Sequence, residues 1–305
     1  MGEPELHVVT GAFSYTGKYI ARHLLTEGVR VRTITGHPQR PNEFGGRVEA
    51  CRFSFEDPPM LVEHLRGASV LYNTYWVRFS RGADTFERAI ANTKTLLAAA
   101  EEAGVRRIVH VSIANATAAP QLPYYRGKAE LEDAVKRSRL SHAILRPTVI
   151  FGDEDVLINN IAWLLRRFPV FAVPGDGAYR LQPIFVGDMA ALAVAAARRD
   201  DDVTIDAVGA ETYTFNDLLR LLCETIGRRP RVVHVPPVLA LMLSRAVGVA
   251  VRDVVLTPDE VRGLLADLLV TDSPAAGETK LSDWLRANAG HVGGHYASEL
   301  GRHYR

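Results

Sequence analysis

A serine, a tyrosine and a lysine in this sequence have the types and spacing needed to move a proton. Ser112 closes the apolar run Ile108-Val109-His110-Val111-Ser112; Tyr124 follows twelve residues on, and Lys128 four residues after that. On a helix, positions four apart share a face, so the Tyr124 oxygen and the Lys128 ammonium can point at one site. A nearby ammonium favours tyrosinate and lowers the phenol pKa, which fits tyrosine to exchange a proton with a carbonyl or an alcohol. Lysine can also hold a ribose, and serine can polarise the substrate oxygen. Tyr125 stands next door and competes for the tyrosine's role.

A second pattern lies at the start of the chain. Val8-Val9-Thr10-Gly11-Ala12-Phe13-Ser14-Tyr15-Thr16-Gly17-Lys18 leaves a strand-like run and enters a helix-like one. Gly11 allows a tight turn and Gly17 close helix–sheet packing, and the helix N-terminus then faces a pyrophosphate. Ser14 stands where such a fingerprint has its middle glycine; it is small, but the backbone approach is less free. After the next strand the chain reads Thr33-Ile34-Thr35-Gly36-His37-Pro38-Gln39-Arg40. An NAD site wants a carboxylate there for the ribose hydroxyls, and a 2′-phosphate wants positive charge. Thr35 takes the place of the acid, with Gly36, His37 and Arg40 beside it. NADP(H) is therefore preferred, with NAD(H) still open. The competing reading of His37 and Arg40 is a solvated basic turn.

The elements that must position these residues alternate. Strands are expected at His7–Thr10, Val31–Thr35, Val48–Phe53, Val70–Thr74, Arg107–Ser112 and His142–Pro147. Helices are expected at Lys18–Glu27, Pro59–Leu65, Phe86–Ala103 and Ala129–Ser138. That order implies βαβ units and an α/β, Rossmann-type doubly wound parallel sheet. After Gly152, Val156–Phe168 reads as an apolar helix, followed by a loop punctuated by Pro169, Pro174, Gly175, Gly177 and Pro183. Ile184–Arg199 and Val203–Val208 read as a helix and a strand returning to the sheet. Thr214 with Asp217 opens a helix over Phe215–Ile226, and Thr257-Pro258 with Glu260 forms a capping-box start. The expected division is residues 1–150 for the Rossmann domain, with 184–210 returning to it. Residues 151–183 and 211–305 form a smaller, mostly helical substrate-binding region.

The totals bound the function. The chain has 305 residues, 36 basic against 35 acidic and a net charge of +1, which gives no electrostatic case for nucleic acid or an anionic membrane as principal partner. Cys51 and Cys223 belong to no metal or disulfide pattern. His291, His295 and His303 lack the spacing of a metal site, so no metal is expected. No signal peptide is read at the N-terminus, and the longest apolar run, Val238–Val251, is too short to span a bilayer and is broken by Ser244 and Arg245. A cytoplasmic protein is the expectation. Trp76, Phe79, Trp163, Phe168 and Phe171 flank the expected cleft beyond the strand ends, and Trp76, Trp163 and Phe171 are taken as substrate-binding. The same aromatic residues could equally be core. Asp188 and Arg146 read as structural, and Arg78, Arg81, Arg166 and Arg167 as solvated.

Taken together, Thr10-Gly11…Gly17, Asn73-Thr74-Tyr75, Asn92, Ser112, Tyr124 with Lys128, Arg146-Pro147-Thr148…Phe151-Gly152 and Phe185-Val186-Gly187-Asp188-Met189-Ala190 resemble the extended short-chain dehydrogenase/reductases. The likeness runs from residue 6 to about residue 225. Within that family the chain looks most like the atypical branch of NmrA-like proteins and the NADPH-carrying accessory subunit of respiratory complex I. The resemblance implies NAD(P)(H) binding by Gly11, Phe13, Ser14, Tyr15, Thr16 and Gly17, with Asn73, Thr74, Tyr75, Lys128 and Pro147 along the cofactor. It implies a Ser112/Tyr124/Lys128 triad. Ser54 and Phe55 stand where many members place an Asp-hydrophobic pair against the adenine. Members of this branch often bind cofactor without turnover. The expected function is an oxidoreductase of a small, largely apolar carbonyl, alcohol or quinone-like compound. A non-catalytic NADP(H) sensor or assembly protein is the alternative, and sugar-nucleotide epimerase or dehydratase chemistry a weaker one. A homodimer stays open.

Overall fold

The computed structural model describes residues 4–303, which divide into two compact units. The first unit comprises residues 1–147 and 186–207, the second residues 148–185 and 208–305.

The chain opens with β1 (Leu6–Thr10), α1 (Tyr15–Thr26), β2 (Arg30–Thr35), β3 (Val48–Arg52) and α2 (Pro58–Leu65). It continues through β4 (Ala68–Asn73), α3 (Phe86–Glu102), β5 (Arg107–Val111), α4 (Pro123–Arg137) and β6 (Ser141–Pro147). In the second unit it forms β7 (Ile150–Phe151), α5 (Leu157–Arg167), β8 (Val170–Pro174), β9 (Arg180–Leu181) and β10 (Ile184–Phe185). It returns to the first unit as α6 (Val186–Ala197) and β11 (Val203–Ala207). The remainder is β12 (Tyr213–Thr214), α7 (Phe215–Ile226), β13 (Arg231–Val235), α8 (Pro237–Val251), α9 (Pro258–Leu265), α10 (Leu281–Ala287) and α11 (Glu299–His303).

The first unit is a seven-stranded sheet in the order β11-β6-β5-β4-β1-β2-β3, with every neighbouring pair parallel. Its inner strands β1, β4, β5 and β6 are buried on both faces, as expected where helices cover both sides. Leu61 and Leu65 of α2, Leu96 and Leu97 of α3 and Val135 of α4 pack on Val8, Ile34, Leu71, Ile108 and Ile144. Helices α1 and α6 pack on each other, and the buried side of α6 is mostly alanine, which lets the two backbones approach closely. The strand order reverses between β1 and β4, so the crevice beyond their carboxyl ends is where such a sheet binds a ligand. The Rossmann-type fold expected from the alternation is the fold observed.

The second unit is built round Phe151, Leu165, Val173, Leu181, Phe215, Leu218, Leu222 and Leu285. Three two-stranded pairs, β10-β7, β12-β9 and β13-β8, join its helices. Thr214 caps α7 by accepting from the Asp217 amide, and the Thr257/Glu260 capping box at α9 is present in both directions. Two expectations need correction. Val170–Pro174, read as loop, is a strand paired in parallel with Arg231–Val235; its partner lies far along the chain, and the flanking prolines hide it locally. The helix expected from Ile184 starts at Val186, because Ile184 and Phe185 pair with Ile150 and Phe151 first.

The first turn of α1 lies so close to the end of β1 that a Cβ at Gly17 would sit 2.4 Å from the Gly11 carbonyl oxygen and 3.0 Å from that of Thr10. Both obstacles are backbone, so the helix itself would have to move. Gly17→Ala is expected to lower unfolding free energy by about 1–3 kcal/mol and to weaken dinucleotide binding along with it. Denaturant unfolding and a cofactor titration of the variant check this; an unchanged midpoint would mean the helix has room to give.

Candidate active site

At the end of β1, Gly11 turns the chain with φ +67°. The turn is pinned from outside: the Ala12 amide donates to the Thr33 hydroxyl at 2.9 Å, which donates on to the Val9 carbonyl at 2.8 Å. Ser14, in extended conformation at the N-cap of α1, donates its amide to the Gly11 carbonyl at 2.8 Å. The following first-turn amides, beginning with Tyr15, Thr16 and Gly17, have no carbonyl within the helix to serve, so they suit an anion. Phe13 packs beside Phe44, ring centroids 6.2 Å apart.

The ends of β1 and β4 are tied together. The Thr74 amide donates to the Thr10 hydroxyl at 2.7 Å, and the Thr74 hydroxyl returns a bond to the Thr10 carbonyl at 2.6 Å. Asn73 is fully buried; its Oδ1 accepts from the Tyr75 amide and its amide nitrogen donates to His110 Nδ1 at 3.1 Å. Burial, with the Lys128 charge nearby, pushes the His110 imidazole down to about 3, so it stays neutral at ordinary pH.

At the end of β2, Thr35 is buried and its hydroxyl oxygen accepts from the His37 amide at 3.2 Å. Gly36 and His37 are exposed, and the Arg40 amide donates to the His37 carbonyl. Phe53, Phe55 and Tyr75 form an aromatic cluster with centroids 4.7–5.3 Å apart, and Asn92 donates to the Tyr75 hydroxyl at 2.9 Å. Ser54 lies within the same stretch, its hydroxyl buried and without a hydrogen-bond partner among the described residues. Ring surface and a buried hydroxyl without a partner are groups that could meet a flat heterocycle with polar edges, such as the adenine of a dinucleotide.

Helix α4 begins at Pro123, earlier than the expected Ala129, with proline at its first position, so it carries both Tyr124 and Lys128. Trp76, just past β4, organises them. Its indole stacks on Phe86 at 5.7 Å, meets Tyr124 edge-on at 5.7 Å and covers Lys128 Nζ at 4.7 Å. Gly127 makes this fit possible, since a Cβ there would come within 2.8 Å of the indole. Tyr124 is half-buried and Tyr125 buried, so Tyr124 is the better placed of the two neighbours to meet a ligand.

Lys128 is only 3% exposed and donates to the Val111 carbonyl at 2.9 Å. Burial pulls its ammonium down to about 7, with Glu132 opposing the shift. Ser112 is also buried, and its hydroxyl donates to Glu132 Oε1 at 2.6 Å. Arg146 clamps both oxygens of Glu132, through Nε at 2.9 Å and through Nη2. The Pro147 carbonyl accepts from the Ala114 amide, drawing the segment after β5 towards the end of β6.

Glu132 and His110 are the residues that the sequence reading missed. Glu132 had a legible signal: it continues the four-residue spacing of Tyr124 and Lys128 along one helical stripe. Arg146, expected as structural, has that role through Glu132. Arg166, expected as solvated, instead donates to the carbonyls of Ala289 and Val292 at 2.8 Å. Trp163 and Phe171 belong to the second unit: Trp163 packs against Tyr296 and under Arg167, and Phe171 against Phe215. Within that unit they pack with its other side chains, Phe171 against the core. Among the described residues no cluster of His, Cys, Asp and Glu could hold a metal; the His303 side chain lies outside them. A cleft of about 410 Å³ opens at the opposite, amino edge of the sheet, but Arg106 and Arg198 on its wall are paired with Glu5 and Glu27.

The buried ammonium opposes folding in a pH-dependent way. Above the usual lysine pKa both folded and unfolded chains carry a neutral amine, and burial costs nothing on this account. As pH falls, the unfolded chain takes up a proton that the folded chain refuses until about 7, so the penalty grows and then levels off below that value. Lys128→Met should therefore stabilise the cofactor-free protein, by roughly 1–3 kcal/mol near pH 6 and by less near pH 9. Urea unfolding at the two pH values measures it; a gain independent of pH would disprove the buried-charge account.

Comparison with known proteins agrees with this geometry. Residues 11–160 match the family described as NAD(P)H-binding. Subunit 9 of the NADH dehydrogenase [ubiquinone] 1 alpha subcomplex of Arabidopsis thaliana is 26% identical over 285 residues, covering 87% of this chain and 71% of that protein. A ceramide reductase of Caulobacter vibrioides is 28% identical over 231 residues, covering 75% and 73% respectively. Among solved structures, an NADPH-dependent quinone oxidoreductase of Escherichia coli complexed with NADPH superposes with a TM-score of 0.76 at 18% identity, covering 94% of this chain and 99% of that one. The glycine turn, the aromatic cluster and the α4 stripe thus sit in a chain whose residues 11–160 match the NAD(P)H-binding family, and these likenesses together fit an extended, NmrA-like short-chain dehydrogenase/reductase.

Proposed function

We propose that the protein is an NADP(H)-dependent oxidoreductase of a small, largely apolar carbonyl, alcohol or quinone-like compound. The observation that carries this reading is the arrangement of Tyr124 and Lys128, one turn apart on α4 and both against Trp76. A bound nicotinamide would supply or accept the hydride. Tyr124 then exchanges the proton with the substrate oxygen, and the Lys128 ammonium favours its ionised form. The Trp76 indole N–H is buried without a partner among the described residues and can donate to a ligand oxygen. Phe86, Trp76 and Tyr124 present apolar ring surface, which matches a substrate with little polarity. The similarity to a ceramide reductase and a quinone oxidoreductase points the same way.

One observation favours the second reading, a cofactor-holding protein without turnover. The Ser112 proton is engaged by Glu132 and Lys128 by the Val111 carbonyl, so two of the three groups face inward. For catalysis the serine hydroxyl must turn from Glu132 to the substrate, or Tyr124 must hold that oxygen alone. The two readings part on Tyr124→Phe. In the enzyme, the substitution removes roughly 10²–10⁴-fold in rate and leaves cofactor affinity nearly unchanged. Single-turnover reduction of quinones and apolar ketones by bound NADPH, with and without Tyr124, is the measurement. Equal rates in the two proteins would dismiss the triad, and no consumption with any acceptor would favour the holding role.

Cofactor choice follows from the end of β2. The buried Thr35 oxygen already accepts the His37 amide and offers no carboxylate to two ribose hydroxyls, while His37 and Arg40 are basic. NADPH should bind more tightly than NADH, and Arg40→Ala should weaken NADPH alone. Calorimetric titration of both cofactors decides; tighter NADH would end the 2′-phosphate reading.

A further inference from the structure

Helix α8 is apolar almost throughout, yet it is buried along only one side. Ala240 and Gly248 are the buried residues of the helix, and a Cβ at Gly248 would sit 2.6 Å from the Asp253 carbonyl oxygen, where the chain turns back at the helix's own end. The other side presents Val238 at 69%, Met242 at 61% and Val249 at 81% exposure, with Leu239 and Leu243 beside them. The ladder that α8 packs against adds exposed Val170 and Val232. A helix apolar all round is normally buried all round, so this face is built for contact.

Charge says with what. From Thr225 to Arg252 the sequence contains five arginines, Arg228, Arg229, Arg231, Arg245 and Arg252, and no Asp or Glu. All five are exposed, and none forms an ion pair among the described residues. A net charge of +1 over the whole chain conceals this segment, which is why the totals gave no membrane case. A second copy of the chain is a poor occupant: a two-fold contact sets the patch against itself and brings arginine to arginine. An anionic bilayer satisfies both features, since hydrocarbon takes the apolar face and lipid phosphates take the guanidinium groups. At 15 residues, the helix is too short to cross the bilayer and suits lying in its surface.

We propose that α8 and the arginine-rich segment leading into it dock the protein on an anionic phospholipid surface. The inference does not rest on turnover. Vesicles of phosphatidylcholine alone, and of phosphatidylcholine with one quarter phosphatidylglycerol, are sedimented with the full chain. Binding is expected to the anionic vesicles, at least about tenfold stronger than to neutral ones, and to fall with salt. Met242→Asp with Val249→Asp should abolish it while leaving NADPH affinity and melting temperature unchanged. Arg228→Gln with Arg229→Gln should weaken it roughly fivefold per arginine, which keeps the test alive should the first pair disturb folding. Equal partition to both vesicle types, or to neither, overturns the proposal. So does a dimer in light scattering that Met242→Asp splits, which would assign the face to a second copy.

Discussion

Glu132 imposes a constraint that the carboxyl end of the sheet obeys. It is 1% exposed, and a carboxylate removed from water must be met by donors or it destabilises everything around it. Arg146 arrives from the end of β6 to clamp it, Ser112 turns its hydroxyl towards it from the end of β5, and Lys128 approaches one turn before it on α4. Three elements that share no local sequence are thereby held at fixed positions. The placing of Ser112 against Arg146 is thus a by-product of solvating one buried charge, with Trp76 covering the neighbouring Lys128 ammonium.

A tension follows. The contacts that order Ser112 and Lys128 are the contacts that occupy them. A site whose polar groups satisfy one another is stable without a ligand, and it must exchange internal bonds for external ones when a ligand arrives. A family in which some members carry out chemistry and others only hold a cofactor could differ by no more than the ease of that exchange.

The parts legible in the sequence were those whose signal is local. The Gly11–Gly17 turn, the tyrosine and lysine on one helical face, and the caps at Thr214 and Thr257 each declare themselves within a few residues. Thr10 and Thr33 did not, because their hydroxyls matter only through strands brought alongside by the sheet. The Val170–Pro174 strand was hidden for the same reason: its ladder is with Arg231–Val235, and nothing near it in sequence announces the partner. Glu132 was legible as a position but not as a role, since a glutamate on a helix is ordinarily a solvated one.

The excursion of the chain between β6 and α6 has a consequence for biosynthesis. The edge strand β11 pairs with β6, and α6 covers the face of the sheet beside α1. Neither exists until the intervening β7–β10 segment has been made, and that segment in turn waits for β12, α7 and β13 to complete its own pairs. On the ribosome the nucleotide-binding sheet therefore spends the synthesis of β7 to β10 with the open edge of β6 unpaired and an uncovered apolar face. Such an intermediate can pair with the wrong chain. A nascent chain stalled before Val186 carries both that open edge and that bare face.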